Sequence, residues 1–84
     1  MRALAPMASD HDRALGAAIR VLRQNAGLTQ EGLAHAAGLA FGTIARIELA
    51  QATPRWASIR AIVEALGVTW GELGNAIDAV EQRA

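Results

Sequence analysis

The chain has 84 residues, a formal net charge of zero, 52% hydrophobic and 4% aromatic residues, and no cysteine. A chain of this length forms one small domain that buries only about 60–65% of its unfolded surface, and without cysteine it has neither disulfides nor thiolate metal sites. Residues 1–8 are too short and too interrupted for a signal peptide or a membrane span. We therefore expect a cytoplasmic protein with a flexible tail over residues 1–8 and a single domain over residues 9–82.

The spacing of apolar residues predicts three helices in the first part of the chain. The first begins at a cap provided by Ser9 or Asp10, carries apolar residues at helical spacing, and ends before Gly27. The second covers about residues 30–37 and the third about residues 41–49. No stretch alternates polar and apolar residues as a strand does, so no strand is expected.

Two more helices are predicted in the second part of the chain. The fourth starts at Thr53 and Pro54, with threonine as the cap and proline at the first helical position, and it ends at Gly67. The fifth begins with a capping box, in which Thr69 and Glu72 bond to each other's backbone N–H groups. The sequence therefore predicts an all-α fold, a compact bundle of five helices.

The connection between the second and third helices is typical of a helix-turn-helix. Thr29 caps the second helix, and Gly38 supplies a left-handed turn after it. Such a turn sets two short helices across each other and presents the second one outward, toward a DNA major groove. The charges agree with this interpretation, because residues 13–60 carry six arginines against two glutamates, a balance of +4. Residues 61–84 carry one arginine against four acidic residues, a balance of −3.

From roughly Leu15 to Leu73 the chain resembles the DNA-binding domain of phage repressor and Cro proteins, the XRE type. The motifs that carry the resemblance are Leu28-Thr29-Gln30-Glu31, Leu33-Ala34, Ala37-Gly38, Thr43-Ile44, Arg46-Ile47-Glu48, Pro54 and Ala65-Leu66-Gly67-Val68. The resemblance implies a lambda-repressor-like bundle with the helix-turn-helix at helices two and three. It also implies a transcriptional regulator that binds an operator in double-stranded DNA.

The resemblance, together with the positions of the helix starts, assigns residues to the DNA. Those expected at base edges are Ala40, Phe41, Gly42, Thr43 and Arg46, and those expected at phosphates are Arg20, Thr29, Gln30, Thr53 and Arg55. Arg46 is the one base-facing side chain able to bond guanine through two hydrogen bonds. Phe41 either contacts a thymine methyl group or a sugar, or folds back into the core. Because the family commonly has polar side chains at positions 40–42, this chain is expected to discriminate bases only modestly.

Two more expectations follow from the resemblance. Arg23 and Glu48 match a family ion pair between the first helix and the recognition helix, in which leaving one member buried alone costs several kcal/mol. Ala50 stands where the family has glycine or asparagine in a left-handed conformation. Either Ala50 bears a strain of about 1 kcal/mol there, or the third helix ends differently in this protein.

The apolar stripe of the fifth helix predicts a homodimer joined near its acidic C-terminal end. The stripe consists of Trp70, Leu73, Ile77 and Val80, and it is longer than a four-helix core needs. The alternative is that the stripe caps the monomer's own core, as Trp70 and Leu73 are expected to do in part, which leaves Ile77 and Val80 as the main dimer contact. One short recognition helix reads only a few base pairs. A two-fold dimer on half-sites about 34 Å apart is the usual way to gain specificity.

Other function classes have less support. His11 and His35 lie on different helices without a companion cysteine, and no catalytic grouping or phosphate-binding glycine loop occurs. We therefore expect no enzyme, metal site, cofactor or small-molecule substrate. Two alternatives stay open, a protein-interaction module built on the same bundle and the antitoxin of a toxin–antitoxin pair. The operator sequence, the regulated genes and the sign of regulation do not follow from the sequence.

Overall fold

The computed structural model describes residues 10–83, with side chains described over residues 12–83. The tail expected over residues 1–8 lies outside this range, as does Ser9, one of the two caps expected for the first helix. The described residues form five helices, which are α1 (Asp10–Asn25), α2 (Gln30–Ala37), α3 (Thr43–Glu48), α4 (Trp56–Leu66) and α5 (Trp70–Arg83). No residue of the described range lies in a strand, so the expected all-α bundle of five helices is confirmed.

One apolar core joins the five helices. α1 packs against α3 and α5, and α2 packs against α3 and α4. The largest fully buried side chains are Ile19, Leu33, Ile44, Ile47 and Ile62, which come from α1, α2, α3 and α4. Burying a side chain of this kind contributes about 1.5–3 kcal/mol, whereas an isolated helix of α3's length does not form in water. Tertiary packing therefore holds the short helices in place.

Leu73 corrects the dimer surface expected on α5. Its side chain is only 6% exposed and belongs to the common core, because α5 turns this position toward the rest of the bundle. Ile77 is half-buried and packs against the same core. Leu73 and Ile77 of the stripe therefore serve the protein's own interior, whereas Trp70 is exposed.

The expected caps of α2 and α5 are present. Thr29 Oγ1 accepts a hydrogen bond of 2.9 Å from the backbone N–H of Gly32, and Gly38 ends α2 in the left-handed conformation at φ 69°. At the start of α5, the N–H of Thr69 donates to Glu72 Oε1 at 2.8 Å, and the N–H of Glu72 donates to Thr69 Oγ1 at 3.0 Å. The caps at Thr29 and at Thr69 satisfy backbone N–H groups that the first turn of a helix leaves unpaired, and Gly38 N–H bonds carbonyl groups at the end of α2.

α3 begins at Thr43, two residues later than the sequence predicts. Gly42 has φ 85°, a left-handed conformation that glycine adopts without the steric cost of a side chain, and it caps the helix from outside. Phe41 therefore lies in the turn between Gly38 and α3, not on α3 itself.

α4 also begins later than predicted, at Trp56, and Thr53 is not its cap. Arg55 is the residue that precedes the helix, with extended backbone at φ −72° and ψ 160° and no side-chain capping bond. The Thr53 hydroxyl donates instead to Asp12 Oδ2 on α1, at 3.4 Å. A contact between distant parts of the chain has replaced the local cap.

Ala50 has the left-handed conformation that its position in the sequence suggested, with φ 58°. The N–H of Ala50 donates to the carbonyl of Ile47 at 3.0 Å, and the N–H of Gln51 donates to the carbonyl of Arg46 at 2.8 Å. These are the two hydrogen bonds of a Schellman motif, which normally uses glycine at this point. Ala50 therefore bears the strain of about 1 kcal/mol.

Candidate nucleic-acid interface

A hydrogen-bonded ion pair joins α3 to α1. Arg23 Nε donates to Glu48 Oε2 at 2.6 Å, and Arg23 Nη2 donates to Glu48 Oε1 at 3.1 Å. Arg23 Nη1 also donates to the carbonyl oxygen of Leu28 at 2.9 Å. Gln30 Nε2 at the start of α2 donates to Glu48 Oε1 at 3.0 Å. The contact that the sequence suggested is therefore formed, and it has a third side chain that sequence reasoning missed.

The ion pair is largely shielded from water, with 11% of the Arg23 side chain and 3% of the Glu48 side chain exposed. The hydrogen bonds that Arg23 donates to Glu48 hold the pKa of the guanidinium above its ordinary value, although burial acts in the opposite direction. A guanidinium that donates two parallel bonds to one carboxylate accepts few other geometries. The pair therefore constrains the angle between α3 and α1.

The outward side of α3 and the turn before it carry the residues expected at the bases. Arg46 is exposed, and Thr43 is half-buried at the first position of the helix. Phe41 is 79% exposed, so the alternative that placed it in the core is wrong. Ile44 and Ile47, on the opposite side of α3, are buried in the core. Arg46 and Phe41 are therefore the large side chains of this region that solvent can reach.

A small cleft of about 130 Å³ lies between the start of α2 and the start of α3. It is lined by Gln30, Glu31, Phe41, Gly42, Ile44 and Ala45. The cleft brings a residue expected at a phosphate, Gln30, beside a residue expected at a base, Phe41. Glu31 adds one carboxylate to the same cleft.

The residues expected at phosphates differ in how exposed they are and in whether their polar groups are already hydrogen-bonded. Arg20, Thr29 and Arg55 are exposed, and Gln30 is half-buried with one amide N–H donated to Glu48. A primary amide carries two N–H donors, so the bond to Glu48 leaves one for another acceptor. Thr53 is exposed, but its hydroxyl donates to the carboxylate of Asp12, which places a negative charge beside this expected phosphate contact.

Two exposed tryptophans form a pair that sequence reasoning did not find. The rings of Trp56 and Trp70 are stacked, with centroids 5.0 Å apart and planes inclined by 14°. Trp56 is 66% exposed and Trp70 is 46% exposed. Trp70 was expected at a dimer surface, whereas Trp56 had no assigned role. The available signal for an exposed Trp56 was its position at the start of α4, directly after Arg55.

Over residues 10–83, no group of three or more His, Cys, Asp or Glu side chains is placed to hold a metal ion. Within the same range, no helix is both long and apolar enough to cross a membrane.

Comparison with known proteins gives a family and a fold. Residues 14–75 match the family described as a helix-turn-helix domain. The structure is similar to the crystal structure of the clp gene regulator ClgR from C. glutamicum, with a TM-score of 0.78 and 24% sequence identity. The similarity covers 94% of this chain and 97% of that one. No curated protein matches the sequence.

Proposed function

Because this chain belongs to the helix-turn-helix domain family, we propose that it is a sequence-specific DNA-binding transcriptional regulator that places α3 in the major groove. The observation that carries the proposal is the two-sided character of α3. One side is held in the core by Ile44, Ile47 and the Arg23–Glu48 pair, and the other exposes Arg46, with the exposed Phe41 in the turn before the helix. A rigid helix with an exposed donor side is what reading of base edges requires.

The proposed contacts fall into two groups, those that read bases and those that bind phosphates. Arg46 donates to a guanine edge, and Thr43 and Phe41 contact neighbouring bases, with Ala40 and Gly42 allowing close approach. Arg20, Thr29, Gln30 and Arg55 contact phosphates, which fix the position of the domain on the duplex without reading sequence. The balance of +4 over residues 13–60 supports this orientation, with the acidic α5 directed away from the DNA.

We infer that the protein binds DNA as a homodimer. α3 has only six residues and reads a short half-site, so a two-fold dimer is the usual route to an operator-sized sequence. The similarity to a clp gene regulator supports a regulatory role of the same general kind.

Selection of bound sequences from a pool of random duplexes tests this proposal. We expect enrichment of a motif with two-fold symmetry, whose half-sites are about one helical turn apart. No enrichment at low salt, where phosphate contacts are strongest, would contradict sequence-specific binding.

A second candidate function is protein recognition by the same surface, including an antitoxin role. The exposed apolar side chains of Phe41 and Leu49, 79% and 66% exposed, are the observation that favours it. A partner protein rather than DNA would then cover these two side chains, one before the start of α3 and one at its end. Failure of the duplex selection combined with capture of a folded partner dependent on Phe41 would support this alternative.

A further inference from the structure

The cleft between the start of α2 and the start of α3 combines an apolar lining with a single carboxylate. Four of its lining residues are apolar and two are polar, namely Phe41, Gly42, Ile44 and Ala45, and Gln30 and Glu31. Its volume of about 130 Å³ is several times the roughly 30 Å³ that one water molecule occupies in the liquid. The cleft therefore has room for a methyl group together with the polar group beside it.

The apolar lining belongs to the part of the domain that the proposed function directs into the major groove. Phe41 is 79% exposed in the turn before α3. Gly42 and Ala45 carry no side-chain atom beyond Cβ, so a base edge can come close to them. The apolar group that a base presents in the major groove is the methyl group at C5 of a pyrimidine. This methyl group is therefore the ligand that matches the lining.

The carboxylate of Glu31 distinguishes between the two pyrimidines that carry such a methyl group. Glu31 is exposed in the first turn of α2, and an ionised carboxylate only accepts hydrogen bonds. Beside the C5 position, cytosine presents the N4 amino group, which is a donor, whereas thymine presents the O4 oxygen, which is an acceptor. The carboxylate is attracted by the first and repelled by the second, so it favours cytosine over thymine.

We propose that this cleft is a binding site for 5-methylcytosine in duplex DNA. The C5 methyl group lies against Phe41 and Ala45, and the N4 amino group donates to Glu31. The inference rests on the proposed function, because it requires α3 to lie in the major groove. It adds that methylation of one cytosine in each half-site strengthens binding, so that the methylation state of the operator regulates its occupancy.

Two selections from random duplexes test the proposal, one with ordinary DNA and one in which 5-methyldeoxycytidine replaces every deoxycytidine. From the methylated pool we expect a motif with cytosine at one fixed position of each half-site. A single selected half-site that lacks the methyl group at this position should bind the full chain about fourfold more weakly, which is the effect of burying one methyl group.

Three variants locate the methyl group on the protein. Phe41→Ala should bind methylated and unmethylated duplexes almost equally, whereas Leu49→Ala, the matched control at an exposed apolar position after α3, should keep the fourfold difference. Glu31→Gln should keep the effect of the methyl group but lose the preference for 5-methylcytosine over thymine, because an amide both donates and accepts. Far-UV circular dichroism checks that each variant is folded.

Four results would overturn the proposal. A selected site that binds equally with and without its cytosine methyl groups would contradict it while leaving sequence-specific binding intact. An effect confined to thymine methyl groups, measured by replacing thymine with deoxyuridine, would contradict the role given to Glu31. A methylation effect that persists in Phe41→Ala would place the methyl group elsewhere. Failure of both selections would contradict the proposed function itself, and this proposal with it.

Discussion

Gly16 on α1 lies directly against the carbonyl oxygen of Ile47 near the end of α3, so closely that a methyl group at position 16 would overlap that oxygen. The carbonyl oxygen of Glu48 would stand only 3.0 Å from the same methyl group. Both obstacles are backbone atoms, which cannot move aside as a flexible side chain can. Glycine here is therefore what allows α1 to approach the helix that carries Glu48.

Gly16→Ala should destabilise the protein by about 1–3 kcal/mol, because overpacking forces α1 and α3 apart. Gly74 in α5 is the matched control, since a Cβ there would meet no atom within 4 Å. Gly74→Ala should stabilise by roughly 0.5–1 kcal/mol through helix propensity alone. Urea unfolding of both variants measures the difference, and equal effects of the same sign would contradict the close packing.

Removing either member of the Arg23–Glu48 pair should cost about 2–4 kcal/mol, because the remaining charge stays largely buried without its partner. A thermal-melt double-mutant cycle with Arg23→Ala and Glu48→Ala should show that the second substitution costs much less than the first. Additive losses would mean that the two side chains do not interact.

The stabilisation from Arg23 should not depend on pH in the ordinary working range. Hydrogen bonding to Glu48 raises the folded-state pKa of Arg23 above its ordinary value, so its contribution is fully present below the unfolded-state pKa and is lost only as the pH rises through the folded-state pKa. In unfolding experiments between neutral pH and about pH 10, below the ordinary arginine pKa, the loss caused by Arg23→Ala should stay constant. A loss that shrinks steadily toward alkaline pH would contradict this assignment.

Ala50→Gly should stabilise the protein by roughly 0.5–1 kcal/mol. Glycine removes the left-handed strain at φ 58° but gives the unfolded chain more freedom, and the first effect is the larger one here. Ala79→Gly on the exposed side of α5 is the control, and helix propensity predicts a loss of similar size. The Schellman geometry would be in error if both substitutions destabilised equally.

Arg46→Ala should cost about 1–3 kcal/mol on the preferred duplex and relax specificity at one position. Gln30→Ala should instead weaken all sequences alike, as expected for a phosphate contact. Arg83→Ala removes the same charge as Arg46→Ala, from the last turn of α5, and serves as the control. Competition binding against specific and random duplexes separates the cases, and equal small effects of Arg46→Ala on both would rule out base reading.

If Phe41 contacts a thymine methyl group, replacing thymine by deoxyuridine in the selected site should weaken wild-type binding by roughly 1 kcal/mol, the value of one buried methyl group. Phe41→Ala should lose the same amount on the thymine duplex and be insensitive to the replacement. Leu49→Ala, at the other exposed apolar position near α3, should keep the wild-type sensitivity. A thymine preference that survives in Phe41→Ala would exclude this contact.

Local hydrogen bonds made most of the secondary structure predictable. Thr29 with Gly32, and Thr69 with Glu72, pair groups only three residues apart, so residue type and spacing suffice to predict them. The starts of α3 and α4 were predicted two or three residues early, because residue type and spacing did not suffice to predict where these helices begin. At α4, the Thr53–Asp12 contact depends on how distant segments meet, whereas at α3 the left-handed Gly42 precedes the first helical residue.

The sequence by itself determined the number and order of the helices, the caps of α2 and α5, and the basic and acidic halves of the chain. Only the tertiary structure decided that Phe41 is exposed, that Leu73 is in the core, that Gln30 bonds Glu48, and that Trp56 stacks on Trp70. The physical reason is the separation in sequence between the groups that interact. A cap is a bond within one helical turn, whereas each of these outcomes depends on the angles and distances between helices, which the packing of the whole core sets.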